Sequence, residues 1–416
     1  MDERELPIAV IGAGAAGLAA AVFAAGAGRP TLLLERTRDG GRKILISGGG
    51  RCNVLPSRLE PAQYFTASST NSLKKMLLSW PLEQQRRFFE EEAGIPLVLE
   101  PETGKLFPAS NRARQVRDTL VELARRRGAR LRFDAEVVGL DPPAAGEPWR
   151  VRLAGGEAVA AARVVVATGG LSVPQTGSDG TGLRMVRQLG HAVHDTFPAL
   201  TPLTAQPPVH AHLAGVSLTA RLEAPLPEGG GLRASGGFLF THRGYSGPAV
   251  LDVSHAAVRA PHPAAQPIFA RWTELDAAGW ERLLLERAGG GVAGLLRRHL
   301  PARLAETLLA ECGIDEGRAL SQLRREERAR LVEALTRYRL PWTGDEGYRK
   351  AEVTGGGVPL GEVDPRTMQS RVVPGLFLCG EILDCFGPIG GYNFAWAWAT
   401  GRAAGLGASA GPEAPV

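Results

Sequence analysis

Apolar and polar residues alternate along roughly the first two hundred positions in the order that a doubly wound α/β sheet requires. The apolar run Ile8–Ile11 predicts a buried strand, and the alanine-rich stretch after it predicts a helix. A second apolar segment, TLLLE, predicts a short strand that ends in an acidic residue, Glu35. Strand, helix and second strand in this order form the first unit of a parallel sheet.

Further elements follow from the same periodicities. Residues 72–94 have an amphipathic helical pattern in which Pro81 marks a point where a helix begins or kinks. Residues 113–127 predict another helix, because their apolar positions recur at helical spacing. Leu131–Asp141 predicts a single strand, which would pair with residues 149–155 across a turn at residues 142–146.

The pattern changes twice in the second half of the chain. A buried strand is predicted from Arg163. Residues 197–260 contain short strand-like pieces between Pro and Gly without a long helical period, whereas residues 272–338 are helical in pattern. A last apolar strand is predicted within Val373–Asp384, and a helix follows it.

These elements predict a nucleotide-binding domain that is built from both ends of the chain. Its two parts are residues 1–195 and 348–416. The insertion between them consists of a β-rich domain, residues 196–262 and 336–347, and a helical subdomain, residues 263–335. The sequence contains no internal repeat.

The segment IAVIGAGAAG is a dinucleotide-binding fingerprint in its full context. Gly12 permits the tight turn, Gly14 removes the side chain that would block a diphosphate, and Gly17 lets the helix pack close to the strand. The helix N-terminus, with Ala15 and Ala16, would hold the diphosphate, and Glu35 would accept a hydrogen bond from a ribose hydroxyl.

Composition excludes several other classes of protein. The chain has 416 residues, 44% hydrophobic and 22% charged, which is ordinary for a globular protein. The net charge is +5, and the arginines are spread among glutamates and form no single basic block. The sequence therefore predicts no nucleic-acid partner. Four scattered cysteines predict neither a disulfide framework nor a zinc site, and favour a reduced cytoplasm.

An uncharged run at residues 7–28 is long enough to span a bilayer. The run is mostly Ala and Gly, and no Lys/Arg cluster precedes it, so neither a membrane span nor a signal peptide is expected.

A glycine-rich loop, DGGRKILISGGGRCN, occupies residues 39–53 after the Glu35 strand. A loop of this length with so many glycines favours a ligand over a solvated surface role. Its backbone N–H groups and cations would face the diphosphate, and its polar side chains would bond a sugar or a ring edge. With Arg36 beside it, the candidate cofactor-binding residues here are Arg42, Lys43, Ser47, Gly48, Gly50, Arg51, Cys52 and Asn53.

The motifs GGRKILISGGGRCN, GKLFPASNRA, VVVATGG, FLFTHRGYSGPAVL, AEVTGGGV and PGLFLCGEILD…GGYNFAWAWATG occur in this order between Ile8 and Gly405. In these motifs the chain resembles the aminoacetone-oxidase-like family of bacterial FAD proteins, distant relatives of glutathione reductase. The resemblance implies FAD as cofactor and a discontinuous Rossmann-like FAD-binding domain of the glutathione-reductase type. It places the following residues along the cofactor: Val137, Ala167, Thr168, Gly169, Gly380, Glu381, Gly390, Gly391, Tyr392 and Asn393.

The family resemblance implies a hydride transfer between a small organic substrate and flavin N5. Two reactions are open: oxidation of an amine such as aminoacetone by oxygen, and reduction of an activated C=C bond with NAD(P)H as transient donor. An RNA-modifying or a non-catalytic flavoprotein is the alternative, because some relatives of the fold act on tRNA. The chain departs from the family at Val173, within the GSDGTG stretch from Gly177, and at Phe386–Ile389, so the substrate cannot be carried over and no catalytic residue is assigned.

Three further features stay open in the sequence. GGGVAG at residues 289–294 also satisfies the glycine pattern, but it joins two helical segments and predicts a flexible turn. Cys379 and Cys385 flank Glu381, and buried packing is favoured over a redox pair. The segment from His242 to Tyr245 is either a substrate-facing turn or a solvated one.

Overall fold

The computed structural model describes residues 5–144, 147–225, 230–286 and 290–410. The helices are α1 (Ala15–Gly26), α2 (Arg42–Ile46), α3 (Thr70–Leu77), α4 (Leu82–Arg87), α5 (Ala113–Arg126), α6 (Thr181–Gln188), α7 (Pro248–Val258), α8 (Ala277–Leu285), α9 (Val292–Arg297), α10 (Ala302–Glu311), α11 (Arg325–Thr336) and α12 (Tyr392–Ser409).

The strands are β1 (Ile8–Ile11), β2 (Thr31–Leu34), β3 (Leu55–Pro56), β4 (Leu97–Glu100), β5 (Lys105–Pro108), β6 (Ala129–Arg132), β7 (Val137–Asp141), β8 (Trp149–Leu153), β9 (Ala158–Ala161), β10 (Arg163–Val166), β11 (His194–Ala199), β12 (Leu203–Thr204), β13 (Ser217–Pro225), β14 (Gly231–Phe240), β15 (Gly244–Ser246), β16 (Phe269–Arg271), β17 (Tyr338–Arg339), β18 (Gly344–Asp345), β19 (Val353–Gly357) and β20 (Leu376–Leu378).

The chain forms two compact units. The first comprises the described parts of Met1–Thr196 and Val353–Val416, and the second those of Phe197–Glu352. Within the described ranges, no helix combines the length and the apolar character that crossing a membrane requires.

The first unit is organised by a parallel five-stranded sheet in the order β20-β10-β1-β2-β6. Its central strands are buried on both faces, which explains why β1 and β10 are apolar at nearly every position. Two small antiparallel sheets, β3-β5-β4 and β7-β8-β9, belong to the same unit, as does β19. The predicted α/β Rossmann-type fold is therefore confirmed.

Helices α1 and α12 pack closely because small residues face each other. A Cβ added to Gly401 would lie 2.4 Å from the backbone oxygen of Ala16, and one added to Gly405 would lie 2.4 Å from the oxygen of Ala20. Larger residues at these positions would separate the helices. The alanine- and glycine-rich sequence of α1 thus serves core packing.

The second unit contains a seven-stranded sheet in the order β17-β16-β13-β14-β15-β12-β18. Helices α7 to α11 belong to the same unit, and their apolar residues share one hydrophobic core with the inner face of the sheet. The predicted separation of a β-rich domain from a helical subdomain stays a prediction.

Two predicted elements are wrong in detail. Leu131–Asp141 is two strands in two different sheets, because Asp134 takes a left-handed conformation with φ 52° that turns the chain between β6 and β7. Residues 197–260 include a helix, α7, whose amphipathic period is weak in sequence because seven of its eleven residues are buried. Residues 145–146 of the predicted turn lie outside the described ranges.

Candidate functional site

The turn between β1 and α1 has the geometry of a diphosphate cradle. Gly12 has φ 98°, and a Cβ there would lie 2.7 Å from the backbone oxygen of Ala167. At Gly17 an added Cβ would lie 1.8 Å from the oxygen of Gly12, so neither position tolerates a side chain. Gly14, in contrast, faces open space: no protein atom lies within 4 Å of its added Cβ. That space is where a diphosphate at the N-terminus of α1 would lie.

Glu35 lies directly beside this turn. It is 7% exposed, and Oε2 accepts a 2.6 Å hydrogen bond from the backbone N–H of Ala13. Oε1 accepts from the N–H of Thr37 at 2.8 Å and from its hydroxyl at 2.7 Å. A carboxylate has about four acceptor positions. Three of them are used here, and one is left for a ribose hydroxyl, which fits the predicted role.

The neighbouring arginines are paired with carboxylates of the protein. Arg36 contacts Glu136 at 3.0 Å and Asp179 at 2.6 Å. Burial opposes ionisation of Asp179, but the Arg36 guanidinium and the hydrogen bonds from Thr181 lower its pKa to about 2. Arg42 bonds Asp39 at 3.0 Å. Both arginines therefore stabilise loops through ion pairs. A diphosphate would have to compete with these carboxylates for either guanidinium group.

Lys43 is the cation that reaches the end of the central sheet. Its Nζ donates to Glu381 Oε2 at 2.6 Å and to the Ser172 hydroxyl at 2.6 Å. Glu381 also accepts from the Ser172 hydroxyl at 2.6 Å and from the backbone N–H of Thr354 at 3.0 Å. Burial alone would raise the pKa of Glu381, but Lys43 and these hydrogen bonds hold it below its ordinary value. Glu381 is thus an ionised acceptor in a polar cluster.

The glycine-rich loop follows α2 as a short 3₁₀ turn at Ser47–Gly50. Gly48 has φ 56° and Gly49 has φ 66°, so this turn depends on glycine. No protein atom lies within 4 Å of a Cβ added at Gly49, which leaves the loop backbone open to a ligand. The Ser47 hydroxyl donates to the carbonyl of Ile44 at 2.8 Å.

The end of this loop faces the β3-β5-β4 sheet. Arg51 contacts Glu100 at 3.0 Å and stacks on the ring of Phe107, with its guanidinium carbon 4.0 Å from the ring centroid. Cys52 is fully buried, and burial raises the pKa of its thiol to about 12. A Cβ added at Gly48 would lie 3.2 Å from the backbone nitrogen of Asn53. The structure therefore places Arg51 and Cys52 in protein contacts.

The carboxyl end of β10 meets the glycine turn. The N–H of Ala167 donates to the carbonyl of Ile11 at 2.9 Å. Thr168 packs against α6, where a Cβ at Gly182 would lie 1.8 Å from its hydroxyl oxygen. A Cβ at Gly169 would lie 3.9 Å from a Glu381 oxygen, which links this strand end to the Lys43 cluster. Val137, 6% exposed, lies in β7.

The carboxyl end of β20 also joins the turn. A Cβ at Gly380 would lie 2.7 Å from the Cβ of Ala16, and the Gly380 carbonyl accepts from the indole N–H of Trp396 at 3.1 Å. At the start of α12, a Cβ at Gly391 would lie 2.6 Å from the carbonyl carbon of Leu55. The remaining predicted residues there are Gly390 with φ 127°, Tyr392, whose carbonyl accepts from Tyr64, and Asn393, which bonds Gly387 twice.

The predicted residues therefore separate into two groups by direct contact. Gly12, Gly17, Ala16, Ala167 and Gly380 touch one another around the turn, and Lys43 with Glu381 adjoins them through Gly169. Arg51 contacts β4 and β5, Gly391 contacts Leu55 in β3, and the Tyr392 carbonyl accepts from Tyr64. The first group has the open turn that a diphosphate requires, and the second is held by protein contacts.

Sequence reasoning missed a polar cluster at Asp384. This carboxylate is 1% exposed on its side chain, and Oδ2 lies 3.0 Å from His194 Nδ1. The same oxygen accepts from the hydroxyls of Thr66 at 3.1 Å and Ser68 at 2.8 Å, and from the N–H of Ala67 at 3.0 Å. The signal in sequence was an acid three residues after Glu381. Ser172 and Thr354, which position Glu381, had no signal.

The structure gives the burial of the cysteines, of the His242–Tyr245 segment and of the second glycine pattern where it is described. The four cysteines are free and buried, and burial raises the pKa of Cys379 and Cys385 above the ordinary thiol value. His242 and Arg243 are exposed, and Tyr245 is fully buried with its hydroxyl 2.8 Å from His210. Of the second glycine pattern, residue 289 lies outside the described ranges and Gly291 caps α9.

Fold and site together define a Rossmann-type flavoprotein. The open space at Gly14, the free acceptor position on Glu35 and the exposed backbone at Gly49 fit the diphosphate, ribose and remaining length of FAD. The chain belongs to the HI0933-like family: the model of the HI0933-like protein Rossmann domain matches residues 6–407. The predictions of a flavoprotein, of FAD and of an FAD-dependent oxidoreductase are confirmed at this level.

Comparison with known proteins finds relatives that match this chain over nearly their whole length. The chain is 35% identical over 401 residues to a ribosomal RNA dihydrouridine synthase of Escherichia coli, covering 94% of this chain and 95% of the relative. It is 32% identical to a protein of the same name from Haemophilus influenzae, covering 95% and 97%. It is 30% identical to a 3-dehydro-bile acid delta(4,6)-reductase of Clostridium scindens, covering 97% and 99%.

Among solved structures, an open flavocytochrome c3 fumarate reductase matches with a TM-score of 0.51 and 16% identity. The match covers 97% of this chain and 78% of the reductase, and it supports the fold.

Proposed function

We propose that this protein uses FAD to reduce an activated carbon–carbon double bond, with uridine in ribosomal RNA as the favoured substrate. The observation that carries the proposal is the similarity, over 94% and 95% of this chain, to two proteins named for making dihydrouridine in ribosomal RNA. The 30% identical bile acid reductase is named for a related reaction. Both names describe the saturation of a C=C bond that is conjugated with a carbonyl group.

The protein would hold FAD through the glycine turn, Glu35 and the loop at residues 47–50. Bound FAD would supply hydride at its N5 atom. The Lys43–Glu381 cluster would fix the polar surroundings of the cofactor at the ends of β10 and β20. The N-terminus of α12 would stabilise negative charge on the reduced ring.

Reduction of a conjugated C=C bond also requires a proton at the neighbouring carbon. His194 has the properties of such a donor: its side chain is 38% exposed, and its Nδ1 is held by the buried carboxylate of Asp384. All four cysteines are buried, which favours direct transfer between flavin and substrate over a thiol relay.

A second candidate substrate is a small α,β-unsaturated carbonyl compound. Such a reduction is one of the two reactions that the family resemblance leaves open, and the C. scindens relative supports it. Amine oxidation, which the aminoacetone-oxidase-like resemblance also implies, and NAD(P)H as the donor stay predictions.

The test compares two substrates and a control without acceptor under identical anaerobic conditions. The FAD-loaded protein is incubated with NADH or NADPH and with unmodified ribosomal RNA transcripts, an α,β-unsaturated 3-oxo steroid, or no acceptor. Nucleosides are then analysed for dihydrouridine by mass spectrometry. Dihydrouridine that depends on protein and donor supports the proposal, and steroid reduction alone supports the second candidate. Flavin bleaching by aminoacetone, with peroxide on readmission of air and no reduction of either acceptor, would overturn both.

A further inference from the structure

The second unit has one sheet face that looks outward, which we call the outer sheet face. Along β13, Ser217, Thr219, Arg221 and Glu223 are exposed, whereas Ala220 and Leu222 between them are buried. The alternation continues in the neighbouring strands because side chains of paired residues point to the same face. The outer sheet face is formed by Ser217, Thr219, Arg221, Glu223, Gly231, Arg233, Ser235, Gly237, Leu239, Phe269, Arg271, Arg337 and Arg339.

The strand register gathers arginines on this face. Arg221 of β13 is paired with Ser235 of β14 on one side and with Arg271 of β16 on the other. Two residues further along, Glu223 is paired with Arg233 and with Phe269, and Phe269 is paired with Arg339 of β17. These residues come from the β13–β14 hairpin and from two strands that are distant from it in sequence, β16 and β17, so the linear charge pattern does not reveal the face.

The positive charge of this face exceeds its negative charge. Arg221 binds Glu274, with a second contact of 3.2 Å from Nε to Oε1, and Arg233 lies 3.4 Å from Glu223. Within the described ranges, neither Arg337 nor Arg339 has a carboxylate within 4.0 Å. Five arginines therefore face two glutamates.

An aromatic ring lies among these cations. The guanidinium carbon of Arg337 is 3.9 Å from the centroid of the Phe269 ring, and this ring is partly exposed. Arg271 is fixed by backbone carbonyls, because its Nε donates to Thr273 and Leu275 at 3.1 Å. The centre of the face carries residues with small side chains, Thr219, Ser235 and Gly237.

We infer that the outer sheet face binds single-stranded RNA. Such strands are bound by open sheets that combine a basic surface for phosphates with planar side chains on which bases stack. Here Arg337 and Arg339 would contact phosphates, Phe269 and the Arg337 plane would support a base, and the small central residues would leave room for the chain. The inference rests on the proposed function, because that function makes RNA the partner.

The test measures binding directly and needs no turnover. A fluorescein-labelled 20-nucleotide oligouridylate is titrated with FAD-loaded full-length protein across 50 to 300 mM KCl, and anisotropy gives Kd. We expect R337A/R339A to bind about tenfold more weakly at the lowest salt concentrations. The slope of log affinity against log salt should fall by about 1.4, since each phosphate contact to a single strand contributes about 0.7.

The matched control is R282A/R298A. These two arginines are exposed on α8 and just after α9 in the same unit, and within the described ranges neither has a carboxylate partner. The control removes the same net charge from outside the outer sheet face. The flavin spectrum and the thermal unfolding temperature verify that both double variants are folded, and F269L tests the ring without removing charge.

Several results would overturn the inference. One is that the wild-type protein fails to bind oligouridylate, and another is that both double variants weaken binding equally. A third is that polyglutamate of equal charge competes as well as RNA, since the face would then serve an acidic protein. Dihydrouridine formation is scored separately. If the wild type modifies RNA and R337A/R339A does so equally well, only this inference fails; if the variant loses binding but no dihydrouridine ever forms, only the proposed function fails.

Discussion

Lys43 donates a 2.6 Å hydrogen bond to Glu381, a residue 338 positions further along the chain. The contact joins the glycine-rich loop to the end of β20, and Ser172 bonds both partners. The side chains are 25% and 17% exposed, so most of the pair is shielded from water. This ion pair connects the two parts of the chain that form the FAD-binding unit.

Replacing Lys43 by methionine should leave an unpaired, largely buried carboxylate. We expect the free energy of unfolding to fall by about 2 kcal/mol at pH 7, as measured by urea titration. The double variant K43M/E381Q should recover most of this loss. The matched control is Arg42→Met, which removes the adjacent cation from a half-exposed pair with Asp39 and should cost below about 1 kcal/mol.

The sign of the pH dependence follows from Glu381. Its pKa in the folded protein lies below the ordinary value, so the pair stabilises the fold at neutral pH, and this contribution disappears as the pH falls through the lowered pKa. The difference between wild type and K43M should therefore narrow below about pH 4. An equal difference at pH 7 and pH 3 would show that the pair contributes no charge-dependent stability.

Replacing Gly14 by alanine should separate cofactor binding from folding. Its φ of −74° suits alanine, and no protein atom lies within 4 Å of the added Cβ. We expect the stability of the FAD-free protein to change by less than about 0.5 kcal/mol. FAD affinity should fall at least about tenfold, since the methyl group enters the diphosphate space.

Gly294→Ala is the control for this change. Gly294 lies in α9, also with open space around an added Cβ, so alanine there should raise stability by about 0.5–1 kcal/mol and leave FAD affinity unchanged. Isothermal titration of both apo proteins with FAD provides the comparison. Wild-type affinity in G14A would show that the diphosphate lies elsewhere.

The cysteine thiols should be unreactive in the native protein. All four are buried, and burial raises the pKa of Cys52 to about 12. We expect no thiol to react with a disulfide reagent at pH 8 before unfolding and four to react afterwards. Cys385→Ala should retain its rate of substrate reduction. A rapidly reacting Cys385, or loss of activity in this variant, would revive a redox pair with Cys379.

His194→Gln tests the proposed proton donor. We expect the variant to keep FAD and its rate of flavin reduction by the nicotinamide, and to lose about a hundredfold in the step that reduces substrate. Stopped-flow measurement of the two half-reactions separates them. A lower thermal unfolding temperature with unchanged rates of both half-reactions would mean that His194 only ties its strand to Asp384.

Local features of the sequence determined the cofactor-binding class. Gly12 and Gly17 of the turn cannot be replaced by larger residues, because Gly12 has a left-handed backbone conformation and Gly17 lies against the backbone of Gly12. Glu35 follows from the same unit, since one helix and one short strand fix the distance to the acid. Helix α5 was predicted nearly to the residue for a related reason: its apolar face repeats at the helical period.

Tertiary structure decided which side chains from distant segments contact each other. The partners of Glu381 are Lys43, Ser172 and Thr354, and only the parallel order of the sheet brings those segments together. The outer sheet face has the same origin. Arginines that alternate with glutamates along the chain predict no basic surface, but strand register sorts side chains by face and places Arg221, Arg271 and Arg339 together. Steric constraints on a turn or a helix act between residues that are close in sequence, so the sequence alone predicts them. The pairing of residues across a sheet depends on the register between distant strands, which no single segment determines.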